Sequence, residues 1–201
     1  MHIRSDGARP QIDPSAQVAP SAVISGDVHV GPRCRIGHGA VLVAEGGPVR
    51  LGADCVVMDT AVIRGVPGQH MALGDRVLVG PRAYLVGCTV EEDVFLATGA
   101  TVFNGARIGA GSQVRINGLV HLRSVLPPQS MVPIGWVAVG DPVQILPASE
   151  HEAIWAVQKT LDFPGYVFGQ PRPVPGESMM PALMPRYAAA LRRRHAEDEI
   201  L

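Results

Sequence analysis

Between Leu73 and Ile108 an aliphatic side chain returns at a steady beat, at Leu73, Val79, Leu85, Val90, Leu96, Val102 and Ile108. Four places after most of them stands a small residue: Val77, Ala83, Val94, Ala100 or Ala106. The beat runs back through Ile63, Val57, Leu51, Leu42, Ile36, Val30, Ile24, Val18 and Ile12, and on through Val114, Val120, Leu126, Val132 and Ala138. A period of six matches neither the repeat of an amphipathic helix nor the alternation of a half-buried strand. Self-similarity at a fixed short period is instead the signature of a solenoid. With two inward positions per six, each unit is a short strand and a corner, and three units close a triangular coil. Successive coils then stack as parallel strands about 4.8 Å apart. The pattern predicts a mainly β chain, a parallel β-helix of about seven triangular coils.

The beat breaks in three places. Three extra residues separate Leu42 from Leu51, four extra separate Ile63 from Leu73, and the step from Leu85 to Val90 is one short. Counted from Ile12, these fall in the sixth, ninth and twelfth units, one full coil apart, so all three belong to one edge of the prism. Function tends to sit on loops held by a rigid scaffold. Down that edge the second-place residues are Val43, Arg64, Val86, Phe103 and His121. Down the face leading into it, third-place residues include His38, Asp59, Pro81 and Thr98.

After Asp141-Pro142 the repeat stops. Ser149 and Glu152 have the spacing of a capping box, and Ile154, Val157 and Leu161 continue as a helical stripe that should end near Pro164-Gly165. Residues 163–176, rich in Pro and Gly, predict an extended linker. A second helix is expected from about Pro185 to His195, and its Arg192-Arg193-Arg194 end suits a helix C-terminus better than a nucleic-acid contact. The predicted organisation is a loose lead-in over residues 1–11, the β-helix over 12–146 and a helical extension over 147–201.

A formal net charge of -1 on 201 residues argues against nucleic acid or an anionic membrane surface as the main partner. No apolar run approaches the roughly 18 residues of a membrane span. The opening Met1-His-Ile-Arg-Ser-Asp6 lacks the apolar centre of a secretion signal, so a cytoplasmic location is expected. Aromatic residues make up only 4%, which suits a narrow prism filled with Val, Ile and Ala. Cys34 and Cys55 stand at fifth places where alanine is the usual alternative and read as packing residues. Cys88 lies in the shortened corner and is expected to be more accessible. No disulfide framework is implied.

Several segments resemble the γ-class carbonic anhydrases among the hexapeptide-repeat proteins: Gly47-Pro-Val-Arg-Leu-Gly52, Val57-Met-Asp59, Ala61-Val-Ile63, Val79-Gly80, Leu85-Val-Gly-Cys88, Ala97-Thr-Gly-Ala100, and the ending from Val132 to Pro142. The resemblance covers roughly residues 10–160 and includes both insertions and the short corner. It implies a left-handed β-helix, although the general rule for parallel crossovers would predict a right-handed one. It also implies a homotrimer in which three histidines hold a zinc ion between adjacent subunits, making hydroxide available to attack carbon dioxide. The implied ligand positions are Arg64, Pro81 and Val86 in this chain. Proline and valine offer no lone pair, and a guanidinium stays protonated and repels a cation. The family's arginine, aspartate and glutamine are implied at Val43, Glu45 and Met58, while Asp59 is kept. The expectation is therefore a γ-carbonic anhydrase-like scaffold without the zinc triad, needing neither zinc nor another cofactor.

Arg64 reads either as a surface arginine paired with an acid or as an anion clamp in the old cleft, with Arg82 or His70 beside it and Glu45 nearby. His38 and Asp59 share a column one coil apart. With Glu45 and His70 on the inserted loops they could form an unrelated metal site, or His38 could be a corner residue hydrogen-bonded to Asp59. His121 points to the groove or to solvent, and His29, His151 and His195 to solvent. Two functions are carried forward. One is small-anion binding, or a trimeric scaffold, at the inter-subunit cleft. The alternative is an acyltransferase taking acetyl-CoA or a related donor, with His38 or His70 as general base. A third possibility is a subunit of a larger assembly, docked through the C-terminal helix.

Overall fold

In the computed structural model, which describes residues 1–174 and 176–201, every beat residue from Ile24 to Ala138 is buried. The small residues between them, such as Ala22, Ala40, Ala61, Ala83 and Ala100, are closed off as well. The chain winds as a left-handed parallel β-helix with three faces. Face 1 is built from the parallel strands His2–Arg4, Val23–Ser25, Val41–Ala44, Val62–Gly65, Tyr84–Val86, Thr101–Val102, Leu119–Val120 and Trp136–Val139. Faces 2 and 3 hold seven strands each, so there are seven complete coils and the opening strand of an eighth.

Register does two things at once. Inside, Ile63 lies between Leu42 and Leu85, and each such side chain gains about 1.5–3 kcal/mol from leaving water. Outside, the same pairing lines up Val43, Arg64 and Val86 on neighbouring strands. Phe103 follows Val86 in that column and His121 follows Phe103, with ring centroids 6.2 Å apart. As the three irregular units predict, the turns after Ala44, Gly65 and Val86 stack on the edge between faces 1 and 2. A fourth turn joins them after Arg4, closed by a Ser5–Ala8 bridge as the turn after Gly65 is closed by Val66–Gln69.

The ends differ from the sequence expectation. Residues 2–4, expected in the lead-in, form the first strand of face 1, paired in parallel with Val23–Ser25 on one side and antiparallel with Glu199–Ile200 on the other. An unpaired strand edge invites foreign strands. Here the chain's last residues close one end of face 1, and Gln144–Pro147, antiparallel to Trp136–Val139, closes the other.

Helix α1 (His151–Gln158) has Glu150 at its N-cap with no side-chain cap. The expected box on Ser149 does not form, because a turn in which Glu150 N–H meets the Pro147 carbonyl moves the start by one residue. A 3-10 turn, Lys159–Leu161, follows. The expected linker contains a second helix, α2 (Phe163–Phe168), with Pro164 in its first turn where the missing N–H is not needed. Pro175, in the same predicted linker, lies outside the described residues. Helix α3 (Met180–Arg194) begins at Met180 rather than near Pro185, since buried Leu183 anchors the extra turn. Cys88 is buried, not accessible: the short corner turns its thiol inward, 3.5 Å from Met71 Sδ, and burial pushes its pKa up to about 12.

Leu85 has no exposed surface and stacks between Ile63 and Val102. Leu85→Ala should lower the free energy of unfolding by about 2–5 kcal/mol, read as a lower urea midpoint with the β-rich spectrum retained. An unaltered midpoint would remove Leu85 from the core.

Candidate functional site

On the edge between faces 1 and 2 the outward column meets the C-terminal helices. Arg64 Nη1 donates a hydrogen bond to Glu45 Oε2, from one coil to the next. The Glu45 side chain is only 8% exposed, and a carboxylate that buried requires a charged partner. Arg194, at the end of α3, adds a second cation: its Nη1 donates to the Glu45 carbonyl at 3.0 Å, and its Nε lies 3.9 Å from Asp6. That approach needs Gly46, whose φ is +82° and where a Cβ would stand 2.7 Å from Arg194 Nη2. Helix α2 is seated in the same manner. A Cβ on Gly105 would stand 2.3 Å from the Tyr166 hydroxyl, and the Arg123 guanidinium lies 5.5 Å from the Tyr166 ring centroid, a cation–π distance.

A cavity of about 460 Å³ remains between the helices and the column. Glu45, Arg64, Gln69 and Asn104 line its polar side, and Tyr84, Phe103, Phe163, Phe168 and Tyr187 its apolar side. Arg64 Nε and Gln69 Oε1 are buried there without a hydrogen-bond partner. Next in the column beyond Phe103, His121 has a buried Nδ1 without a partner, and burial lowers its pKa from the ordinary 6.5.

Of the anticipated residues, Arg64 and Glu45 come together and Val86 stands beside them. Arg82 and His70 do not join. Arg82 is exposed at a left-handed corner on the edge between faces 3 and 1, giving its backbone N–H to the Asp59 carbonyl, and His70 is exposed at the end of its loop. His38 does pair with Asp59, but through its backbone: the His38 N–H donates to Asp59 Oδ1 at 2.7 Å, while the ring Nδ1 lies 2.9 Å from Ser21 Oγ. Glu45 and His70 sit across face 1 from this pair, so the four-residue grouping does not assemble. Among the described residues, no three His, Cys, Asp or Glu side chains gather as metal ligands would. The sequence reading missed Arg194, Gln69, Asn104 and the aromatic residues of α2 and α3. Its one available signal was the spacing of Tyr187, Leu191 and Arg194 on a common helical face.

Comparison with known proteins narrows the family. The hexapeptide repeat of succinyl-transferase matches residues 27–58 and 72–104. Mitochondrial γ-carbonic anhydrase 1 of Arabidopsis thaliana is 28% identical over 198 residues, covering 94% of this chain and 68% of that protein. The chain is similar to the γ-carbonic anhydrases and carries hexapeptide repeats. The carboxysome assembly protein CcmM of Synechococcus elongatus is 34% identical over 145 residues, 64% of this chain and 26% of that one. A solved structure from Bacillus cereus, provisionally an acetyltransferase, matches with a TM-score of 0.62 and 26% identity over 78% of this chain and 90% of that one. The chain spans from 26% to 68% of the lengths of the curated relatives just named.

The three positions where a γ-carbonic anhydrase-like chain is implied to carry zinc ligands can now be placed. Arg64 and Val86 are in direct register on adjacent strands of face 1. Pro81 is on the opposite edge of that face, in a separate hollow with Met58, Phe95 and Ile116. Within one chain the three do not converge, because the width of face 1 separates the two edges. They meet only if Pro81 comes from a neighbouring copy, which is the arrangement the resemblance implies. None of the three side chains offers a lone pair to zinc, so these residues do not fit the metal.

Burial of His121 has a pH consequence with a definite sign. Its folded pKa lies below its unfolded one, so the unfolded chain takes up the proton first, and stability falls as pH drops through 6.5. The melting temperature of the unmodified chain should therefore fall more steeply from pH 7.5 to pH 5 than that of His121→Gln. Parallel curves would show that His121 titrates alike in both states.

Proposed function

We propose that this chain is a homotrimeric γ-carbonic anhydrase-like protein that works without the zinc triad and binds a small anion beside Arg64. The observation that carries this reading is the Arg64–Glu45 ion pair, standing where the resemblance implies a metal ligand, with Val86 next to it. A guanidinium retains positive charge at that place, but it has no vacant orbital with which to activate water. Anion binding is thus kept and carbon dioxide hydration is not. Guanidinium groups hold carboxylates and phosphates through paired N–H donors, and Arg194 places a second one on the same wall.

Association into trimers is supported by face 3. Met58, Phe95, Ile116, Met131 and Ile134 are all exposed along it, beside the Pro81 hollow. Exposed apolar side chains gathered on one face call for a protein partner, and a second copy would bring Pro81 toward the neighbouring Arg64 edge. A trimeric scaffold role is part of the same reading. No helix among the described residues is long and apolar enough to cross a membrane.

Metal analysis, a carbon dioxide hydration assay and light scattering test the proposal together. The purified chain should carry far less than one zinc per copy, hydrate carbon dioxide no faster than buffer, and have three times the 21.2 kDa mass of the chain. Arg64→Glu should keep the β-rich spectrum at a lowered melting temperature, since Glu45 loses its counter-charge, and abolish anion binding. Stoichiometric zinc with hydration activity would end this reading. The acyltransferase alternative rests on the provisional assignment of the Bacillus cereus structure. If it holds, acetyl-CoA at a hundred times its dissociation constant should add about 2.7 kcal/mol of stability, seen as a rise in melting temperature.

A further inference from the structure

The cavity beside Arg64 is far larger than a small inorganic anion needs. At about 460 Å³ it falls within the roughly 300–1,000 Å³ usual for sites that enclose an organic molecule. Two groups of rings bound it. Tyr84 and Phe103 stand on face 1 with centroids 6.5 Å apart. From the helices, Phe168 meets Phe163 at 5.7 Å and Tyr187 at 6.0 Å, both edge to face. In a chain with 4% aromatic residues, six of them, Tyr166 included, line this one cavity, a marked concentration.

The polar end is chemically incomplete. Arg64 uses Nη1 on Glu45, while its Nε is buried with no partner and its Nη2 makes no hydrogen bond among the described residues. Nε and Nη2 form the edge of a guanidinium that takes a carboxylate in two parallel hydrogen bonds. Asn104 lines the same wall, and Gln69 Oε1 is likewise buried and unpartnered. A buried polar group left in that condition costs about 1–3 kcal/mol. Of the charged residues lining the cavity, one carboxylate (Glu45) stands against two guanidinium groups (Arg64 and Arg194), leaving a single positive charge. Asp6, near Arg194, is 60% exposed and does not line it.

We propose that this cavity is a binding site for an aromatic monocarboxylate, its carboxylate on the Nε–Nη2 edge of Arg64 and its ring between the face-1 and helical aromatic groups. The proposal rests on the anion reading of Arg64 and names the class of anion. A single negative charge matches the charge of the lining. An aromatic body matches its walls, where stacked or edge-to-face rings add about 0.5–1.5 kcal/mol beyond area burial.

Isothermal titration of the full chain with benzoate, phenylacetate and 3-phenylpropanoate tests it, with acetate and phenylacetamide as the probes lacking the ring and the charge. At least one aromatic acid should bind once per chain, with acetate and phenylacetamide each weaker by about tenfold or more, a difference of about 1.4 kcal/mol. Arg64→Met should abolish that binding. Phe103→Leu and Tyr187→Leu should weaken the aromatic acid while leaving acetate unchanged, each variant being checked for an unaltered melting curve. If acetate binds as tightly as every aromatic acid and Arg64→Met abolishes both, the aromatic assignment falls and the anion reading stands. Should an aromatic acid bind Arg64→Met as well as the unmodified chain, or phenylacetamide bind equally well, the carboxylate assignment falls and with it the anion reading. Absence of binding by all three aromatic acids also overturns the proposal.

Discussion

Backbone pairing between coils is the constraint on which everything else in this molecule depends. Each coil hydrogen-bonds to the next along three faces, so residues far apart in sequence are forced into columns about 4.8 Å apart. The interior column is consumed by packing: Leu42, Ile63, Leu85 and Val102 fill a prism too narrow to hold anything else. Chemistry is therefore confined to outward positions, and a site can be assembled only along an edge or a face. The column of Val43, Arg64, Val86, Phe103 and His121 is such a line, one side chain per coil. In a solenoid each repeat touches chiefly its neighbours, which keeps the consequences of a change in this column local.

One set of contacts escapes that locality. Arg194 reaches back across 149 residues to the Glu45 carbonyl, Arg4 pairs with Glu199 at 2.8 Å, and the Leu201 N–H donates to the His2 carbonyl at 2.9 Å. The C-terminal segment thus closes the first coil's exposed strand and roofs the apolar column in one return. Because loop-closure entropy grows only slowly with length, so long a return costs little more than a short one. The cavity exists only between the solenoid and this tail. Its walls belong to two parts of the chain that share no sequence pattern.

That division explains which parts of the structure could be read in advance. The coils and the shared edge of the three irregular turns were legible because periodicity alone places every residue of a solenoid; it set Arg64 and Glu45 on that edge without pairing them. The tail was not. Pro164 and Gly165 read as linker residues, yet Phe163, Tyr166 and Phe168 around them find an apolar surface to cover, and tertiary burial outweighs a weak local preference. Residues 2–4 looked like a loose lead-in because their second partner, Glu199–Ile200, lies at the far end of the chain. The inward turn of Cys88 depends on how the short corner settles over Met71, a packing outcome with no signature in spacing.

The Arg64–Glu45 pair shows why the two residues have to be understood together. Arginine at position 64 introduces a charge into a wall that is otherwise valine and phenylalanine, and Glu45 supplies the counter-charge from the loop one coil earlier. Glu45 occupies the place where the resemblance implies an aspartate, and its extra methylene extends the carboxylate's reach toward the neighbouring coil. Removing either partner alone would leave the other charge half-buried and uncompensated, which in buried pairs is strongly destabilising. The pair uses one nitrogen of the guanidinium and no more. A structural ion pair has every reason to take both N–H groups of the fork, since paired donors are stronger than one. That Glu45 engages only Nη1, while Nε is buried without a partner beside the cavity, is the feature a purely structural role does not explain and a bound carboxylate does.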